Sequence, residues 1–326
     1  MSKSDSLGDR MKSNFEVRTR TFLPRRTNTI IRLDGRAFHS YTRGLQRPYD
    51  LDFMSDMDET AKFLCENIQG CKLAYVQSDE ISLLLTDFED ITTEAWFDGN
   101  VQKMVSISAA MAAAKFNQLR TKRAVHKPYI EDIMMAWRAA GMSWEEIDKL
   151  RKSEPYNRYP KYAGSMSQYA EVVPKMIEAG HISSDALIES RLEEANKLAF
   201  FDSRVFTIPD PVEVQNYFVW RQQDATRNSV QMAAQSMFSH NELQGVSCNQ
   251  LQEKMWAEKQ VNWNDYPAGF KRGRCVIEET YMKDVPSSKS GRADYSQPQV
   301  ERKRWIIEEP PIFTQDRDYI RRRISK

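Results

Sequence analysis

The segment LAYVQSDEISLLL, residues 73–85, sets two short apolar runs on either side of Ser78, Asp79 and Glu80. Leu73 to Val76 and Ile81 to Leu85 each have the length of a buried strand, and the gap between them suits a tight hairpin. Both acids then stand at its tip. Asp and Ser bond nearby backbone groups and are ordinary turn formers, so the segment alone reads as a solvated turn. The neighbouring segments give it a partner. TNTIIRLDGRAF, residues 27–38, reads as a strand through Ile30, Ile31 and Leu33 that delivers Asp34 at its end, where Gly35 permits a sharp departure.

Between these two segments, residues 50–69 place Phe53, Met57, Ala61, Leu64, Cys65 and Ile68 at helical spacing, with Gly70 as the stop. Residues 101–119 form a second, Ala-rich helix suited to close packing on a sheet. The stretch 120–198 changes character. It carries a capping-box signature at Ser143 and Glu146 and the helical run SSDALIESRLEEANKL, and it reads as a helical insertion. Strand composition returns at 200–209, and 211–238 reads as a long helix with Pro211 near its first turn. Residues 273–282 and 301–309 then pair as a hairpin.

This order predicts an α+β fold: a βαββαβ unit, an antiparallel sheet with helices on one face, interrupted by the insertion. Four segments follow: 1–119 and 199–282 as the two parts of the catalytic unit, 120–198 as the insertion, and 283–326 as a C-terminal hairpin and basic tail.

No apolar run approaches the ~18 residues of a membrane span, and the N-terminus lacks the apolar middle of a secretory signal, which predicts a cytoplasmic protein without membrane contact. Four cysteines and four histidines show no metal-ligand spacing, so free thiols are expected. Forty-seven Lys and Arg nearly cancel 46 Asp and Glu, so net charge announces no nucleic-acid binder. Local clusters are more informative. Arg120, Arg123 and Lys127 at the start of the insertion, and Arg221, Arg227 and Asn228 on the long helix, are candidate RNA contacts.

In a βαββαβ sheet the first and third strands are neighbours, which brings Asp34 to face Asp79. Clustered carboxylates raise one another's pKa unless a cation lies between them. Mg²⁺, which takes oxygen ligands and keeps substrate phosphates in its shell, is the natural answer. Two such ions ~3.5–4 Å apart form a clamp for phosphoryl transfer. The GRAFH turn at 35–39 offers backbone N–H groups to phosphate oxygens. Neither GxxxxGK[ST] nor GxGxxG is present, so a P-loop and a Rossmann site are both unsupported.

RLDGRAFHSYTRG with RPYD, then LAYVQSDEISLLL, then FDSRVF followed by NYFVWRQQDATRNS, resembles the tRNA-histidine guanylyltransferase family, and most nearly its guanylyltransferase-like branch. The resemblance implies a polymerase- and cyclase-like palm that adds GTP, or other nucleotides under a template, to the 5′ end of tRNA in the 3′–5′ direction, with ATP as the activating nucleotide. It implies two Mg²⁺ ions on Asp34, the Gly35 carbonyl and Asp79, with Glu80 as the adjacent catalytic acid. It assigns nucleotide binding to Asp34, Gly35, Arg36, Ala37, Phe38, His39, Ser78 and Asp79, and places Arg47 where a triphosphate contact is expected. It also implies a homodimer or homotetramer. Members dedicated to tRNA-histidine carry His-Ile-Asn-Asn where this chain has Thr226, Arg227, Asn228 and Ser229. Only Asn228 is retained, and the pattern resembles the branch that repairs truncated tRNA 5′ ends. Two alternatives share the topology. A nucleotidyl cyclase would carry GGDEF where this hairpin has QSDE, and a non-catalytic RNA-binding module leaves Asp34, Asp79 and Glu80 unexplained.

Overall fold

The computed structural model describes residues 6–126, 141, 143, 145–146, 196–284 and 299–324. The chain divides into two compact units, one of residues 1–116 with 199–326 and one of residues 117–198. Most of the expected helical insertion lies outside the described residues. Within it, the Ser143 amide donates to Glu146 Oε2 at 2.8 Å and the Glu146 amide donates to Ser143 Oγ at 3.2 Å, which is the capping box the sequence announces.

The first unit is built on six strands: β1 (Asn28–Gly35), β2 (Cys71–Gln77), β3 (Glu80–Leu85), β4 (Phe201–Ile208), β5 (Arg274–Asp284) and β6 (Gln299–Glu308). They pair antiparallel throughout, in the order β4-β1-β3-β2-β5-β6. The first four strands give the βαββαβ arrangement, with β1 beside β3 as the topology requires. Two-residue alternation along each strand then sorts side chains to opposite faces.

After two short helices, α1 (Ser6–Met11) and α2 (Phe38–Tyr41), come the two that cover one face, which presents Ile31, Leu33, Ile81, Leu83, Ala74 and Val76 to α3 (Leu51–Asn67) and to the N-terminal half of α4 (Val101–His126). Asp50 starts α3 by accepting a bond from the Phe53 amide at 2.8 Å. Phe53, Met57, Ala61 and Leu64 form its buried stripe. These two helices share one face, as expected of the repeat. For the whole sheet that expectation is corrected. The other face is also apolar, through Ile30, Leu73, Tyr75, Leu84 and Cys275, and is covered by α5 (Pro211–Gln235) and a short helix at Asp318–Ile324. A sheet with two apolar faces must be covered twice.

Phe116 of α4 is fully buried, and its ring centroid lies within 5.9 Å of the rings of Phe38, Tyr41, Phe53 and Phe201. Replacing Phe116 by Ala removes the centre of this cluster. The expected loss is about 3–5 kcal/mol of stability, read as a lower urea midpoint. An unchanged midpoint would mean that the aromatic cluster does not hold the helix to the sheet.

Candidate active site

The hairpin turn is two residues long, because Gln77 and Glu80 are paired across it. Such turns match the strand twist when the first central residue has positive φ. Ser78 supplies this at φ 46°. A non-glycine residue there costs on the order of 1 kcal/mol. The turn closes on the end of β1, where the Gly35 amide donates to the Asp79 carbonyl at 3.1 Å, and Asp34 stands directly across from Glu80. Asp34 and Asp79 thereby line one cleft of about 440 Å³.

A second cavity of about 360 Å³ adjoins it and shares Gln77, Ser78, Asp79, Asn228, Met232 and Gln235. Its wall is partly aromatic, with Tyr49 and Phe270 at 4.9 Å between centroids. His39 and Arg47 line it as well.

Asp79 has a pKa raised to about 6. Burial is the largest cause; its own backbone and the Ser78 hydroxyl act against it, while the charges of Asp34 and Glu80 act with it. At neutral pH an ionised Asp79 therefore costs the metal-free fold roughly 3 kcal/mol. Glu80 is handled differently. Its Oε1 and Oε2 each accept a bond from Arg221 at 2.7 Å, and Oε1 also accepts from Gln77 Nε2 at 3.2 Å. Among the described residues no three Asp, Glu, His or Cys side chains converge to hold a metal by themselves. Two carboxylates lining one cleft fit a hard cation whose shell is completed by water and substrate phosphate.

The family model described as tRNAHis guanylyltransferase (Thg1) matches residues 8–139. A bacterial tRNA(His) guanylyltransferase (Thg1)-like protein, solved in complex with ATP, is 34% identical to this chain with a TM-score of 0.66, over 98% of this chain and 100% of that one. This chain belongs to the Thg1 family. A bacterial Thg1-like protein in complex with GTP is 32% identical at a TM-score of 0.62, covering 99% of this chain and 100% of that one. The tRNA(His) guanylyltransferase of Debaryomyces hansenii is 22% identical over 284 residues, 82% of this chain and 81% of that protein.

Against this Thg1 background, the structure sorts the expected residues. Asp34, Ser78, Asp79 and Glu80 converge on the cleft. His39 and Arg47 reach the adjoining cavity, and Asn228 lines both. Phe38 also borders that cavity, but its ring is buried in the core at 5.2 Å from Phe201. A Cβ on Gly35 would sit inside that ring, which gives this glycine a packing reason. Arg36 and Ala37 are exposed and line neither cavity.

The phosphate cradle expected at 35–39 needs correction at its first two positions. The Gly35 amide is spent on Asp79 and the Arg36 amide on the Phe200 carbonyl at 2.8 Å.

Arg221 also needs correction as an RNA contact. It borders the cleft but is 5% exposed and locked to Glu80 and Asp224, so its guanidinium is already committed to protein carboxylates. Arg227 is exposed and pairs with Asp224 at 2.8 Å. Arg120 and Arg123 lie in the second unit, half-buried, and Lys127 lies outside the described residues. Asp224 and Gln77 were missed from sequence. Helical spacing could have exposed the buried arginine, since Val214, Phe218, Arg221 and Ala225 follow one stripe.

The charge on Asp79 makes a test. Its folded pKa lies above the unfolded value, so ionisation subtracts stability above pH ~6 and subtracts none below the unfolded pKa. Asp79→Asn should stabilise the metal-free protein by about 1–3 kcal/mol at pH 8, with the gain shrinking toward pH 5. Melting curves at the two pH values decide it. A variant that is less stable at pH 8 would show that Asp79 is structural.

Proposed function

We propose that this protein adds nucleotides to the 5′ end of tRNA in the 3′–5′ direction, as a tRNA guanylyltransferase-like enzyme. One observation carries the proposal: Asp79 stands at the junction of a polar cleft and a part-aromatic cavity, and Asp34 lines the same cleft, which leaves room for two substrates beside one pair of acids. ATP would first adenylylate a 5′-monophosphate, releasing pyrophosphate, and the 3′-hydroxyl of an incoming GTP would then attack the activated 5′-phosphate, releasing AMP.

Asp34, Asp79 and the Gly35 carbonyl are the groups to hold Mg²⁺, and two such ions would supply activation of the attacking hydroxyl and stabilisation of the leaving phosphate. The chain's own part is positional. The part-aromatic cavity takes the base of the incoming nucleotide, with Tyr49 and Phe270 on its wall. Arg47 offers its guanidinium to the triphosphate from the same cavity. Asn228 faces both compartments, so it lies where the incoming nucleotide and the RNA end would meet.

The Thr226-Arg227-Asn228-Ser229 stretch supports template-directed repair of truncated ends over addition of one G to a single tRNA. Thr226 Oγ1 donates to the Gln222 carbonyl at 3.0 Å, and Ser229 Oγ donates to the Thr226 carbonyl at 2.8 Å, so both hydroxyls are turned into the helix. Only Asn228 of the four lines the cleft. A dimer or tetramer is the assembly expected of the family.

The test is incubation with 5′-truncated tRNA, ATP, labelled GTP and Mg²⁺. Label should enter RNA, in amounts that follow the missing length and the opposite strand. Asp34→Ala or Asp79→Ala should lower the rate at least about 100-fold with the fold retained. Label recovered as a cyclic nucleotide, or full activity in either variant, would contradict the proposal.

A further inference from the structure

The Glu80 carboxylate neighbours the proposed cation ligand Asp79 in the chain and stands across the strand pair from Asp34, yet both of its oxygens are bonded to Arg221. It is 8% exposed, and both of its oxygens are engaged by the Arg221 guanidinium in a two-point contact at 2.7 Å. Such planar, two-point pairs fix orientation as well as charge. Oε1 accepts further bonds from Gln77 Nε2 at 3.2 Å and Ser82 Oγ at 3.4 Å, and Ser82 is itself bonded to the Tyr217 hydroxyl at 2.8 Å.

Arg221 continues outward to Asp224 Oδ2 at 3.0 Å, and Asp224 to Arg227 at 2.8 Å. Burial opposes the charge on Arg221, but Glu80 and Asp224 more than offset it and raise its pKa.

We infer that Arg221 is a positioning residue whose contact with Glu80 keeps that carboxylate out of the cation's coordination shell, so that among the described residues Asp34 and Asp79 supply its acidic ligands. This rests on the proposed role of Asp34 and Asp79. The physical reason is charge. Three free carboxylates would hold a divalent ion tightly without substrate, whereas two leave coordination places for nucleotide phosphates. Pairing Glu80 with a guanidinium cancels its charge locally. It also ties the hairpin to α5, so the acids keep their direction when the ion leaves. Glu80 is thus a strut, and its loss harms the reaction through geometry.

Binding of Mn²⁺ alone, followed by electron paramagnetic resonance, separates the possibilities without RNA or turnover. Arg221→Gln takes the guanidinium from Glu80 while Asp224 keeps Arg227, and should tighten Mn²⁺ binding about 3- to 10-fold while lowering kcat for nucleotide addition. Glu80→Gln with Arg221→Gln removes one charge of each sign and leaves two amides able to bond each other. Its Mn²⁺ affinity should stay within about 3-fold of the parent, whereas Asp79→Asn should lose about 30-fold or more. Should the single Arg221 variant fail to fold, which melting curves report, the double variant still decides.

A double variant as impaired in Mn²⁺ binding as Asp79→Asn would make Glu80 a ligand and overturn the inference. So would a folded Arg221→Gln with unaltered Mn²⁺ affinity. If Asp79→Asn bound Mn²⁺ like the parent, the cation site itself would be wrong, and this inference would fall with it.

Discussion

A half-buried carboxylate is kept charged beside another acid, and the rest of the architecture makes that possible. Asp79 resists ionisation until about pH 6, mainly because it is desolvated. The turn that carries it holds Ser78 in a left-handed conformation, and the Gly35 amide pins the Asp79 carbonyl to the end of β1. Each feature works against stability or depends on a neighbour. Strain and unpaired charge persist where the surroundings over-determine them, and such places are enriched in functional sites. A hairpin tip serving only as a turn would be relieved by Gly at 78 and by an uncharged residue at 79.

The two faces of the sheet divide the labour. The face under α3 and α4 is apolar along its length and forms the larger core. The face under α5 changes character along the strands. Ile30, Leu84 and Leu73 lie in one core with Val214 and Phe218 at one end, while Arg32, Asp34, Glu80, Ser82 and Gln77 occupy the other, where Arg221 pairs with Glu80. One helix therefore anchors itself in the core and overhangs the cleft. Its later residues Asn228, Met232 and Gln235 border both cavities. The buried Glu80–Arg221 pair sits at the change from apolar to polar. Removing one member of such a pair leaves an uncompensated buried charge.

Much of this was legible in the sequence because periodicity and turn chemistry are local. The hairpin at 73–85, the strand that ends in Asp34, the helix opening at Asp50 and the long helix after Asp210 all rest on residues within a few positions of each other. The meeting of Asp34 with Asp79 followed from topology alone. What escaped depends on partners distant in the chain. Arg221 lies 141 positions from Glu80, and an arginine next to an exposed Trp220 resembles a surface cation until its carboxylate is known. The spent amides of Gly35 and Arg36 escaped for the same reason, since Phe200 reaches that loop only after β4 pairs with β1. The second covered face was signalled by strands apolar on both sides, a pattern that a one-sided sheet does not need.

Anomalous diffraction from crystals grown with Mn²⁺ and a non-hydrolysable GTP analogue locates the cation. Manganese density is expected between Asp34, Asp79 and the triphosphate, with the base in the part-aromatic cavity and Glu80 still paired to Arg221. Manganese bound elsewhere, or Asp34 and Asp79 turned apart with no ion between them, would contradict that assignment.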